Sequence, residues 1–132
     1  MKQQRFTTPR ELFSKLPLES AQKQFIEESR ATIRNILNGL DSRKLIITGP
    51  CSIHSSKEAL EYAEKIRHLS QQVASQFFIV MRAYVEKPRT SIGWQGLIND
   101  PHLDGTHCLE TGHYTSRQLL IQLAEMSVPT AC

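Results

Sequence analysis

Arg82, Lys87 and Arg89 fall within eight residues, with Pro88 between the last two and Thr90-Ser91 directly after them. Guanidinium forks and an ammonium match phosphate oxygens, and proline fixes the local backbone, so this composition suits a loop that holds a phosphorylated ligand. A solvated basic loop is the plainer reading of the same residues. A second candidate is Gly49-Pro50-Cys51-Ser52-Ile53-His54. A cysteine there can be a metal ligand or a nucleophile, and backbone amides beside it can receive anions. That motif taken alone fits a buried, inert thiol more readily. His102, His107, Cys108, Glu110 and His113 invite a zinc reading, but their spacing follows no helical or knuckle pattern, so they are read as loop residues. Trp94, between Gly93 and Gln95, is expected to anchor its loop by packing.

The elements that must position these groups follow from periodicity and punctuation. Pro9 can open a short helix through Leu16, which Pro17 ends. Ser20 is expected to cap a helix over 21–38, with Phe25, Ser29, Ile33, Ile36 and Leu37 near one face and Gly39 as its left-handed C-terminal cap. Lys44–Thr48 reads as a buried strand broken by Gly49-Pro50. Ser55 and Glu58 fit a capping box for a helix through about Gln72, striped with Leu60, Ala63, Ile66, Leu69 and Val73. Phe77–Arg82 is the second strand. Residues 83–111 lack periodicity, a last helix is expected over His113–Met126, and Val128–Ala131 begins a third strand. Strands alternating with helices imply a parallel sheet with the helices outside. Both candidate motifs then follow the C-terminal end of a strand, where parallel α/β folds bind ligands. An irregular stretch as long as 83–111 is more than a connection and points to function.

Composition narrows the classes. At 39% hydrophobic and 22% charged, the chain is globular rather than disordered. No run approaches the roughly 18 apolar residues of a spanning helix, and the N-terminus lacks the apolar region of a secretory signal. These features predict a cytoplasmic protein without membrane association. A net charge of +3 is too mild for a nucleic-acid partner. The three cysteines include no CxxC, which argues against a disulfide framework.

LIITGPCSIH, YAEKIRHL and VMRAYVEKPRTSIGWQGLINDPHLDG, in that order and spacing, closely resemble the class I 3-deoxy-D-arabino-heptulosonate-7-phosphate (DAHP) synthases. The likeness is strong from about residue 30 to 105. It implies an α/β fold: the N-terminal part of a (β/α)8 TIM-type barrel, with a helical N-terminal extension over 1–43 and the first β/α units over 44–132, truncated near the third strand. It implies the condensation of phosphoenolpyruvate with erythrose 4-phosphate to give the heptulosonate phosphate and phosphate, the first step of the shikimate pathway. By motif, Cys51 would be a metal ligand, Arg82 and Lys87 would hold phosphoenolpyruvate and act in catalysis, and Pro88, Arg89 and Thr90 would line the erythrose 4-phosphate site. A divalent ion of the Mn, Fe, Co or Zn type is implied, because a thiolate ligand favours a borderline or soft metal over magnesium. That ion would polarise the aldehyde, and clustered cations would offset the repulsion between two phosphorylated substrates.

The chain also departs from the family. A complete barrel needs roughly 250 residues, and the family's other metal ligands (a His, a Glu and an Asp) come from later strands. Gln95 stands where a basic residue is usual, and Thr106–Ser116 replaces a more apolar helix start. The alternative expectation is therefore a catalytically inactive fragment that at most binds or modulates a full-length synthase. Partners implied by the resemblance are the two substrates and a homo-oligomer or full-length homologue.

Overall fold

The structure, a computed structural model, describes residues 7–88 and 92–132. Its elements in chain order are α1 (Pro9–Lys15), α2 (Ser20–Leu37), β1 (Lys44–Thr48), α3 (Ser56–Gln72), β2 (Phe77–Arg82), α4 (Leu109–Glu125) and β3 (Thr130–Ala131). The strands form one parallel sheet in the order β1-β2-β3, with Ile46 opposite Ile79 and Met81 opposite Thr130. β1 and β2 span the residues that their apolar runs predict. No helix among the described residues is long and apolar enough to cross a membrane.

The core lies between the sheet and α3 with α4. Ile79 and Met81 of β2 meet Ala59, Ala63 and Ile66 of α3 and Leu119 and Leu123 of α4, all buried. Small residues on α3 let that helix approach the sheet closely, and the leucines of α4 fill the remaining space. The period-2 alternation of β2 leaves Phe78, Val80 and Arg82 on its other side.

Several local expectations need correction. Glu19, not Ser20, is the N-cap of α2, in a reciprocal arrangement with Gln22 in which the Glu19 N–H donates to Gln22 Oε1 at 2.8 Å. Leu37 is 73% exposed and lies off the packed face of α2. In α3 the innermost residues are Ala59, Ala63 and Ile66, and Leu69 is 44% exposed because it falls one step round the helix from them. Ser55 caps α3 by accepting from Glu58 N at 3.3 Å. The Glu58 carboxylate does not complete a capping box and instead lies 3.3 Å from His54 Nε2. α4 begins at Leu109, four residues before His113, and β3 is limited to Thr130–Ala131. The C-terminal cap of α2 is as expected: Gly39 has φ +73° and its N–H donates to Ile36 O at 3.1 Å.

Candidate active site

The tips of β1 and β2 are adjacent because the strands pair in parallel, which brings the two sequence motifs together. The chain leaving β1 lies directly on β2: a Cβ added to Gly49 would fall 2.4 Å from Arg82 O and 2.9 Å from Arg82 Cβ. Only a residue without a side chain lets the backbone pass there. Beyond it, Ile53 N donates to Tyr84 O at 2.8 Å, so the two loops continue the pairing of their strands.

The loop after β2 is then folded back on itself. Lys87 N donates to Gln95 O at 3.0 Å and Ile98 N to Val85 O at 3.1 Å. Gly96 sits inside this fold-back with φ +105°, and a Cβ there would lie 2.6 Å from Glu86 Cα, Lys87 N and Val85 O. Trp94 is half-buried against the core, and its indole N–H donates to Asp100 O at 2.8 Å. It is therefore the packing anchor that its setting suggests. Asp100 is 3% exposed, and its Oδ2 accepts from Gly105 N at 3.1 Å. The irregular segment is thus a clasp of backbone hydrogen bonds closed by two side chains.

The clasp presents Lys87 to Cys51. Lys87 Nζ lies 2.9 Å from Cys51 Sγ, and Cys51 is exposed. The buried, inert thiol favoured by the motif alone is not what forms. The hydrogen bond from Lys87 and then its charge hold the Cys51 thiol below its ordinary range, against the opposing effect of burial, and the Arg82 guanidinium adds a smaller contribution. Arg82 also lies over the Tyr84 ring, 4.8 Å from the centroid, a cation–π contact that favours this placement of its guanidinium. Tyr84 is a positioning contact that sequence reasoning missed. The signal was present in its i, i+2 spacing from Arg82, which puts both side chains on one side of an extended segment.

Cys51, Arg82 and Lys87 are therefore gathered at one place, a cationic rim beside a thiol with thiolate character. Pro88 follows Lys87 at an exposed position, while Arg89 and Thr90 lie outside the described residues. Residues of the histidine-rich segment make other contacts. Cys108 Sγ is 3.1 Å from Thr111 Oγ1, and Glu110 Oε1 accepts from Thr7 Oγ1 at 2.7 Å. Among the described residues no three His, Cys, Asp or Glu side chains are grouped to hold a metal ion. A metal centre needs about four ligands, and Cys51 can supply one, so these residues do not make a metal site on their own.

The profile of the DAHP synthetase I family matches residues 16–131, nearly the whole chain. The chain belongs to that family. It is 48% identical over 124 residues to the Tyr-sensitive phospho-2-dehydro-3-deoxyheptonate aldolase of Salmonella typhimurium, a match covering 94% of this chain and 35% of the relative. The Trp-sensitive phospho-2-dehydro-3-deoxyheptonate aldolase of Escherichia coli O157:H7 is 47% identical, with 36% of its length covered. The solved structure of phospho-2-dehydro-3-deoxyheptonate aldolase from Francisella tularensis superposes with a TM-score of 0.90 at 39% identity, over 98% of this chain and 38% of that one. The chain thus spans about a third of the length of the curated relatives it matches. Its parallel α/β arrangement corresponds to the N-terminal part of a DAHP synthetase barrel.

Proposed function

We propose that this chain carries the phosphoenolpyruvate-binding half of a DAHP synthetase active site, with 1–43 as a helical extension and 44–132 as the first barrel units. The observation that carries the reading is the convergence of Lys87, Arg82 and Cys51 at the tips of two adjacent parallel strands, in a chain of this family. In the proposed reaction a bond forms between C3 of phosphoenolpyruvate and the aldehyde carbon of erythrose 4-phosphate. One water is consumed and phosphate leaves.

The residues present suit the first substrate. Phosphoenolpyruvate brings a phosphate and a carboxylate into one small volume, and two fixed cations offset that charge. Arg82, placed over the Tyr84 ring, offers a fork to one anionic group, and Lys87 offers a point charge to the other. The bond from Lys87 N to Gln95 O holds the backbone that carries Lys87 before the ligand arrives, so less ordering remains to be done on binding. By the family motif, Pro88, Arg89 and Thr90 would line the site of the second substrate. Cys51 would serve as one thiolate ligand of a divalent ion. Among the described residues no group of three His, Cys, Asp or Glu side chains completes such a site.

Trp94 is the chain's one tryptophan, and it sits in the clasp, so its fluorescence reports on the site. Titrating the 132-residue chain with phosphoenolpyruvate should give a saturable change in that signal. Lys87→Met should weaken binding by at least tenfold, about 1.4 kcal/mol. Equal binding by the native chain and Lys87→Met, or no saturable binding by the native chain, would overturn the assignment.

A further inference from the structure

Asp100 is 3% exposed, although it lies in the irregular segment between β2 and α4. Aspartate is seldom buried so deeply without partners for its oxygens. Its Oδ2 accepts from Gly105 N at 3.1 Å, while its Oδ1 is buried with no hydrogen-bond partner among the described residues. An apolar side chain of similar size would fill this space at lower desolvation cost. Packing alone therefore does not account for a carboxyl here.

The backbone of Asp100 shows what the residue holds. Its N–H donates to Gly96 O at 2.9 Å, and its carbonyl accepts from the Trp94 indole at 2.8 Å and from Leu103 N at 3.3 Å. Gln95 lies between Trp94 and Gly96, so both neighbours of Gln95 are tied to Asp100. Gln95 O is in turn the acceptor of Lys87 N at 3.0 Å. The contacts thus run from Asp100 through the flanks of Gln95 to the Lys87 backbone, and from Lys87 Nζ to Cys51 Sγ at 2.9 Å. The bond from Gly105 N to Oδ2 closes the turn over 100–105, where Gly105 has φ +75°. That closed turn orients the Asp100 backbone, and with it the N–H and C=O that hold Gly96 and Trp94.

Resting on the reading of Lys87 as a phosphoenolpyruvate ligand, we infer that Asp100 is a positioning residue for Lys87. Its carboxyl locks the 100–105 turn, the turn holds Trp94 and Gly96 on either side of Gln95, and Gln95 O sets the backbone that carries Lys87. An ammonium on a flexible stem binds an anion with less loss of freedom when its base is already fixed. Asp100, being buried, acts through that base.

Substitutions of Asp100 in the 132-residue chain separate positioning from bulk. Asp100→Asn keeps an acceptor for Gly105 N, and Asp100→Leu fills the space without one. Hydrogen–deuterium exchange reads the Lys87 amide, and calorimetry reads phosphoenolpyruvate binding. Asp100→Leu should speed exchange at the Lys87 amide roughly tenfold or more, with the β1 and β2 amides unchanged. It should also weaken phosphoenolpyruvate binding about tenfold. Asp100→Asn should bring both back to within about threefold of the native chain. Native exchange and affinity in Asp100→Leu, failure of Asp100→Asn to restore them, or equal acceleration throughout the sheet would each overturn the inference. Should Asp100→Leu not fold, Trp94→Phe carries the test, since it keeps an aromatic ring in the core and removes the donor to Asp100 O. It should accelerate the same amide, and native exchange there would overturn the inference. Failure of the functional reading looks different. Acceleration confined to the clasp and reversed in Asp100→Asn, in a chain whose native form does not bind phosphoenolpyruvate, supports the hold of Asp100 on Lys87 and overturns the proposed function. Phosphoenolpyruvate binding that the native chain shows and every Asp100 variant keeps does the reverse.

Discussion

The clasp beyond β2 and the N-terminal helices both pack on α4, but through different kinds of contact. The clasp reaches α4 through backbone: Gly112, in the first turns of the helix, lies so close to the loop that an added Cβ would fall 2.0 Å from Ile98 O. α1 and α2 reach it through side chains. Arg117 Nε donates to Leu16 O at 2.8 Å and its guanidinium lies 4.2 Å from the Phe13 ring centroid, while Gln22 Nε2 donates to Glu125 Oε1 at 2.9 Å. Backbone contacts this close leave no room for an added atom, whereas these part-buried side-chain contacts depend on residue type and can be lost one at a time. The site's geometry is accordingly set by the clasp, and the helices of the N-terminal region act on it at one remove.

The most severe way to break that contrast is Gly112→Ala. Alanine favours a helix over glycine by roughly 0.5–1 kcal/mol, so an isolated helix would gain. Here the methyl group collides with a carbonyl whose peptide plane is held, because Asn99 N in the same plane donates to Gly96 O at 3.1 Å. Overlap with backbone wins, and a loss of about 3 kcal/mol is expected, read as a lower denaturant midpoint at constant slope. A stabilised variant would show that the clasp yields, and the contrast between the two regions would fall.

The contrast also explains what the sequence could and could not reveal. β1 and β2 were legible because short apolar runs are bounded by Lys44 and Gly49-Pro50 on one side and by a basic residue, Arg82, on the other. The start of α4 was not. Thr106–Gly112 is largely polar, the Cys108 side chain caps no backbone N–H of the helix, and φ +51° at His107 gives no residue-type signal. The capping box at Thr8 and Glu11, by contrast, follows a readable S/T-x-x-E spacing, and both of its hydrogen bonds form. For the site, motif order placed Cys51 and Lys87 in one family pattern. Their contact across 36 positions depends on strand pairing and on the turn at Gly96, which no local periodicity encodes.

A middle-sized effect sharpens the chemistry of the clasp. Lys87 holds the Cys51 thiol below its ordinary range, so the thiolate persists to lower pH than at an unperturbed cysteine and is lost only as pH falls through the lowered value. Lys87→Met removes the largest cause and moves that midpoint upward. Iodoacetamide labelling of Cys51 at pH 7, followed by peptide mass analysis against Cys132 in the same chain, should slow several-fold. The fall is smaller than the loss of thiolate alone, because a thiolate of higher pKa is intrinsically more nucleophilic. An unchanged rate and pH midpoint would mean that the Lys87 contact is not populated in solution.

The smallest effects belong to the side-chain ties of the N-terminal region. Gln22 is 6% exposed and holds both Glu125 and the Glu19 N–H, so Gln22→Ala removes a cap and a bridge at once, with about 1 kcal/mol lost. Thr7→Val removes only the hydroxyl that donates to Glu110, an exposed pair. Water replaces that bond, and the change should stay within about 0.5 kcal/mol. Neither substitution should alter the Cys51 labelling rate, since no residue of α1 or α2 touches the Lys87–Cys51 pair among the contacts described. If Thr7→Val slowed that labelling as much as Lys87→Met, the N-terminal helices would be part of the site's own scaffold, and the division between backbone-set geometry and side-chain attachment would have to be redrawn along α4.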